Sequence, residues 1–324
     1  MRKALLVLPL LAVLAACGGS TRLSRVTLML DWTPNPDHVG FYYAREAGLF
    51  RKQGIDAAIR APSDPATPLK LVAAGRSDLA VSYEQEVFFA AAKKLPVVAV
   101  AAVVPQPLNS IMAIDPAIHS IAGLKGRAVG ITGVPADYAA LDSALSSAGL
   151  SRDDVRVVSV GYNLLPALLS HKVDAVLGVY RNVEGIELAL RGHRPTVIPL
   201  DRAGVPPYDE LVLVASSKRL RSDKGYADRV SRFVDVFVQG TAEARAHPRR
   251  AVAFMRRVTA SDRFFVFRAT LATLELLSGP DGIVCMRPAE WGRFGAWMVR
   301  RKLLKAPVAT GEVMTTRFLP KRCS

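Results

Sequence analysis

Short apolar runs alternate with helix-sized segments along the first two-thirds of the chain. The runs at 26–30, 55–59, 78–82 and 97–104 predict strands, and the segments at 39–50, 68–74 and 84–94 predict helices between them. Pro105-Gln106-Pro107 interrupts the pattern, and the same rhythm then resumes. Strands are predicted at 110–114, 128–131, 155–160, 173–177, 196–200 and 210–215, with helices at 136–148, 163–170 and 184–191. Past residue 216 the strand pattern fades, and 223–246, 249–258, 263–277 and 288–302 read as helices. Strands alternating with helices signal βαβ units and a mainly parallel sheet. The expected architecture is α/β in two lobes with a helical C-terminal section. Residues 25–108 plus 212–324 would form lobe 1 and residues 109–211 lobe 2, so the chain crosses between lobes twice. No internal repeat appears, and the two lobes resemble each other only in rhythm.

The amino end changes the picture from a plain globular chain. Arg2-Lys3, the apolar stretch 4–14 and Leu14-Ala15-Ala16-Cys17 have the layout of an export signal ending in a cysteine. The apolar stretch is too short for a permanent membrane span. The expectation is a lipoprotein signal over 1–16, a lipidated Cys17, and a small, polar tether through residue 24. The protein would then be anchored to the membrane by lipid, on its extracytoplasmic face. The chain carries 43 basic and 28 acidic residues, a net charge of +15, and losing Arg2 and Lys3 leaves +13. An export signal and dispersed cations argue against nucleic acid and for attraction to anionic surfaces. Cys285 and Cys323 remain, and an exported context permits a disulfide between them without requiring it. Neither cysteine has a metal-ligand neighbour, so no metal site is expected.

Candidate chemistry gathers at predicted strand ends, where ligands of α/β sheets bind. The turn Asp31-Trp32-Thr33-Pro34-Asn35-Pro36-Asp37-His38 supplies a flat aromatic face in Trp32 together with Asn35 and His38. His38 reads equally as a functional group or as part of the turn. Ser82-Tyr83-Glu84-Gln85-Glu86 closes another strand; Tyr83 is either a ligand contact or lobe packing, and acids in a first helical turn are favoured with no further role. Tyr162-Asn163 and the Tyr180-Arg181-Asn182-Val183-Glu184 stretch are the corresponding strand ends of lobe 2. Tyr208-Asp209-Glu210 precedes the second crossover and offers acceptors to an amino-substituted ring. Gly130-Ile131-Thr132-Gly133 leads into a helix like a weak anion-binding turn, but lacks the P-loop Lys-Ser/Thr. No Gly-x-Ser-x-Gly or His-Glu-x-x-His is present, which argues against a hydrolase.

The stretches 30–38 and 82–86, Asn163 with 166–170, and 172–176 and 208–214 together resemble one family. It is the thiamin-pyrimidine-precursor-binding group of solute-binding lipoproteins that serve ABC importers. The resemblance covers nearly the whole mature chain. It implies a two-lobed type II periplasmic-binding-protein fold and a ligand like a formylated aminomethyl-aminopyrimidine. It also implies a monomer that hands its solute to an ABC permease, with neither cofactor nor metal. The ligand contacts implied or offered by the residues are Trp32, Asn35, His38, Tyr83, Glu84, Asn163, Tyr180, Asn182, Glu184 and Tyr208. Arg181 stands where relatives often carry Trp, which leaves a riboflavin-like, sulfonate or other aromatic solute as an alternative. A second alternative is an enzyme, because pyrimidine synthases of the same fold resemble this chain around Trp32 and His38. Those enzymes carry a cofactor-holding Lys and a consumed His where this chain has Ser82 and Glu86, and they have a cysteine-rich motif near the crossover strand that is absent here. Binding without chemistry is therefore the expectation.

Overall fold

The computed structural model describes residues 23–64 and 67–323; the leader and Cys17 lie outside them. Two five-stranded sheets are present. Sheet 1 contains β1 (Ser24–Met29), β2 (Ile55–Arg60), β3 (Leu79–Ser82), β4 (Val97–Val104) and β10 (Leu211–Ser216), in the order β2-β1-β3-β10-β4. Sheet 2 contains β5 (Asn109–Ala113), β6 (Ala128–Ile131), β7 (Arg156–Ser159), β8 (Ala175–Tyr180) and β9 (Thr196–Pro199), in the order β7-β6-β8-β5-β9. The two orders are equivalent. In each sheet, the strand that follows a crossover lies second from one edge and runs antiparallel to both neighbours. The sheets are thus mixed, because a strand arriving from the other lobe starts at the hinge and runs away from it. The likeness of the halves, seen in sequence only as rhythm, extends to strand order.

Helices of the first part are α1 (Val39–Glu46), α2 (Leu49–Lys52), α3 (Pro68–Ala73) and α4 (Glu84–Ala92). Those between the strands of sheet 2 are α5 (Pro135–Ser147), α6 (Leu164–Leu169) and α7 (Glu184–Leu190). The closing section holds α8 (Ser217–Ser222), α9 (Lys224–Ala246), α10 (Pro248–Val258), α11 (Arg263–Leu276) and α12 (Pro288–Arg300). The single helix predicted over 39–50 is two, because Gly48 turns left-handed at φ 73° and ends the first. Among the elements without a sequence signal is a hairpin of two-residue strands at Ser278–Gly279 and Gly282–Ile283, too short for alternation to show.

Strands β3, β4 and β10 of sheet 1 are buried on both faces, which explains the continuous apolar runs at β4 and β10. Along β10, Leu211, Leu213 and Ala215 join one apolar cluster with α1, α9 and α10, while Val212 and Val214 join a second. That second cluster continues through Phe294 and Trp297 of α12 into Leu141 and Ala144 of α5. It therefore joins the two lobes. Helix α1, which follows the Trp32 turn, lies tightly on α9; a Cβ on Gly240 would stand 2.5 Å from the Gly40 carbonyl oxygen. This close approach fixes the turn's exit. Cys285 and Cys323 are disulfide-bonded, tying the carboxyl end beside the short hairpin. No helix among the described residues is long and apolar enough to cross a membrane.

Candidate solute-binding cleft

A cavity lies between the lobes at the carboxyl ends of β1, β3, β6 and β8. Lobe 1 contributes Asp31, Trp32, Asn35, Tyr83 and Gln85 to its lining, and the first crossover contributes Asn109. Thr132, Val134, Asp137, Gly178, Tyr180, Val183 and Glu184 complete it from lobe 2. Of the residues singled out from sequence, Trp32, Asn35, Tyr83, Tyr180 and Glu184 thus meet at one place.

The Trp32 turn is built by its own side chains. Asn35 Oδ1 accepts the Asp37 N–H at 2.8 Å, and the Asn35 N–H donates to His38 Nδ1 at 3.3 Å. With Nδ1 accepting, the ring hydrogen sits on Nε2 and is donated to Asp31 Oδ1 at 2.8 Å. Asp31 Oδ2 accepts the Tyr83 hydroxyl at 3.0 Å. Asp31 is thereby held by both neighbouring strand ends while still lining the cavity. The Tyr162 ring reaches from lobe 2 and meets Trp32 edge to face.

The lobe 2 wall depends on a β-bulge. Gly178 is the extra residue between Leu177 and Val179 in the pairing of β8 with β5, and its φ of 100° is a conformation side chains disfavour. Its N–H, freed from the ladder, donates to Asn109 Oδ1 at 3.1 Å. Beyond the bulge, Glu184 Oε2 accepts the Tyr180 N–H at 2.7 Å. Burial pushes the Glu184 carboxyl up to about 7. Asp137 accepts hydrogen bonds from the Thr132 hydroxyl, from the Thr132 N–H at 2.8 Å and from the Gly133 N–H at 3.2 Å. The anion-binding turn suspected at 130–133 is thus filled by the chain's own carboxylate. Burial raises Asp137 to about 6. Three carboxyl groups and no Lys, Arg or His line the cavity among the described residues.

The other five candidates do not line it. His38 is fully buried behind Asp31, used up by the turn. Glu84 is also fully buried and accepts the Asp209 N–H at 2.7 Å, while Asp209 accepts the Trp291 indole N–H at 2.7 Å. Burial raises Glu84 well above the usual carboxyl range, and the neighbouring Asp209 carboxylate adds to it. Asn163 is exposed at the start of α6. Asn182 reaches across to lobe 1, donating to Asp37 Oδ1 at 2.6 Å and Thr273 Oγ1 at 2.8 Å. Tyr208 donates to Glu210 Oε2 at 2.9 Å. Place beside a strand and the family resemblance were the signals for them, and neither says which side of a turn faces the cavity.

Glu210 organises the hinge. Its Oε2 also accepts the N–H groups of Leu108 and Asn109, each at 2.7 Å, and its Oε1 accepts the Tyr180 hydroxyl at 3.2 Å. One carboxylate thus bonds both crossovers and a cavity wall. Arg181 does not enter the cavity either: it donates to the Pro107 carbonyl at 2.6 Å and clasps the first crossover from lobe 2. Cavity residues not singled out from sequence include Asp31, Gln85, Asn109, Thr132 and Asp137. Asp31 and Thr132 stood inside stretches already under scrutiny, whereas Asn109 and Asp137 depend on where the crossover and α5 begin.

Known proteins resemble this chain in sequence and in fold. A Haemophilus influenzae protein named for thiamine biosynthesis is 39% identical over 228 residues, covering 70% of this chain and 71% of its own. A formylaminopyrimidine-binding protein of Halalkalibacterium halodurans is 40% identical over 216 residues, 64% of this chain and 65% of its own. A Saccharomyces cerevisiae 4-amino-5-hydroxymethyl-2-methylpyrimidine phosphate synthase is 26% identical over 53% of this chain, which spans about half (51%) of that enzyme. Among solved structures, the alkanesulfonate-binding protein of Xanthomonas axonopodis pv. citri superposes with a TM-score of 0.70 over 90% of this chain and 98% of its own, at 16% identity. That likeness establishes the two-lobed type II periplasmic-binding-protein fold and says nothing of the solute. Residues 35–251 match the family described as NMT1/THI5 like. With two-thirds of its length matched, and with relatives near 40% identity, the chain belongs to the NMT1/THI5-like family.

Proposed function

We propose that this protein is an extracytoplasmic solute-binding lipoprotein that captures a thiamin pyrimidine precursor, of the formylaminopyrimidine kind, for the permease of an ABC importer. The observation that carries this reading is a cavity with aromatic walls, three carboxyl groups and no cationic side chain among the described residues. A planar ring stacks on such walls, each aromatic pair adding about 0.5–1.5 kcal/mol beyond area burial. An exocyclic amine or a protonated ring nitrogen finds its acceptors in Asp31, Asp137 and Glu184. The sulfonate alternative loses the cation it would need, because Arg181 is spent on the crossover. An anion entering beside Asp31, Asp137 and Glu184 would find no cationic partner among the described lining residues. The enzyme alternative lacks its groups: Ser82 and Glu86 stand where a Lys and a consumed His would be needed, and His38 is locked in its turn. The Cys285–Cys323 disulfide suits an oxidising, exported environment.

Titration calorimetry with the formylated aminopyrimidine is expected to show one site, with an alkanesulfonate and the phosphate ester of the pyrimidine at least about 100-fold weaker. No heat at millimolar pyrimidine would sink the proposal. For the anchor, Cys17→Ser is expected to move the protein from the membrane fraction to the soluble one. Persistent membrane association of that variant would argue against lipidation.

A further inference from the structure

Behind the ring cavity lies a second chamber, sharing Gln85, Asn109 and Asp137 with it as common walls. We infer that this chamber is a subsite for an arm of the solute ending in an amide or hydroxyl group. The inference rests on the ring-binding function proposed above and adds a second contact region to it.

The chamber is apolar on both sides. Ala136, Ala139 and Ala140 of α5 face it from lobe 2, and Phe89, Phe294 and Trp297 from lobe 1. The alanines stand at i, i+3 and i+4, so one helical face presents only methyl groups there. Larger side chains on that face would occupy the space. Opposite, Phe294 stacks on Trp297 with ring centroids 5.1 Å apart, a flat wall for an extended group.

Two residues of this lining carry a buried polar atom without a partner. Trp297 is 7% exposed, and its Nε1–H is buried with no hydrogen-bond partner among the described residues. Gln85 Oε1 is likewise buried and unpartnered. A buried donor or acceptor left unmade costs a fold as much as a hydrogen bond contributes, so such atoms call for an explanation. The other polar groups of the lining with recorded bonds are already committed: Tyr208 to Glu210, Asn109 Oδ1 to Gly178, and Asp137 Oδ2 to Thr132 and Gly133. Of the lining residues' fully buried side-chain atoms, one donor and one acceptor stand without a partner. An amide or a hydroxyl satisfies both, accepting from Trp297 and donating to Gln85. A carboxylate or phosphate could satisfy only the first and would face the Gln85 carbonyl oxygen and Asp137 without a counter-charge.

The test uses the mature protein and three probes with the same aminopyrimidine ring: one with a formylaminomethyl arm, one with a hydroxymethyl arm and one with a bare methyl. Wild type is expected to bind the two armed probes about tenfold or more tighter than the methyl probe. Trp297→Phe, which keeps the stacked ring and removes the donor, is expected to erase most of that advantage while leaving the methyl probe within about threefold of wild type. Ala139→Leu, which fills the chamber, is expected to do the same for both arms. An advantage that is absent in wild type, or that survives Trp297→Phe, overturns the chamber assignment and leaves the ring site standing. If wild type binds none of the three probes, the ring-binding function falls and takes the subsite with it. Should Ala139→Leu fail to fold, Trp297→Phe decides the matter alone.

Discussion

At the scale of single residues, side chains in the cleft divide into those that line the cavity and those that hold the first group still. Trp32 belongs to the lining set, and the Asn35, His38 and Asp31 bonds fix its turn before any ligand arrives. Such preorganisation lowers the ordering cost of binding. Trp32→Ala is expected to weaken pyrimidine binding at least about tenfold by calorimetry, through lost stacking and lost area. An unchanged Kd would make Trp32 a packing partner of Tyr162 and nothing more. Residue type and strand-end position drew attention to the stretches that hold Trp32, Asn35, Tyr83, Tyr180 and Glu184, and the family resemblance chose the residues within them. They were not enough to separate Glu184 from Glu84. Both open a helix after a strand, yet one lines the cavity and the other lies under Asp209. That difference depends on which lobe packs against which face, and a local pattern does not carry it.

Among the elements, the two crossovers show most plainly how buried charge serves position. Glu210 is fully buried, and burial lifts its carboxyl from the usual 4.5 to about 7 against the bonds from Asn109, Leu108, Tyr208 and Tyr180. Between those two values the folded state keeps a proton that the unfolded chain has released. Stability from this group is therefore complete below about pH 4.5 and is lost as pH rises through 7. Glu210→Gln retains an acceptor for the crossover N–H groups and cannot ionise. Denaturant unfolding is expected to show the wild type losing on the order of 3 kcal/mol more than the variant between pH 4.5 and 8. Parallel pH profiles would show that this carboxyl ionises without penalty. The helices and strands themselves were largely legible, because apolar period and the Gly and Pro stops agree along most of the chain. The misses have local causes: Gly48 breaks one helix, and a hairpin of two-residue strands has no period to read.

For the molecule as a whole, a chain with a net charge of +15 encloses an acid-lined cavity, so surface and site have opposite character. Composition alone pointed to anionic partners and said nothing true of the site. Fold class was legible from the α/β rhythm, whereas the pairing of β10 with β3 and β4 was not, since its partners lie more than a hundred residues away in sequence. That placement has a consequence in time. All five strands of sheet 2 come from one uninterrupted stretch, so this half can close on its own as soon as it is available. Sheet 1 cannot, because β3 and β4 pair only through β10, which follows the entire second half. Distant pairings of this kind form slowly, as the loop they close must be ordered first. Pulsed hydrogen exchange during refolding is expected to protect β6 and β8 before β3 and β4; simultaneous protection would mean the halves fold as one unit. A core completed only by a late-made strand leaves the first hundred residues unable to close early, a property that suits the export proposed above.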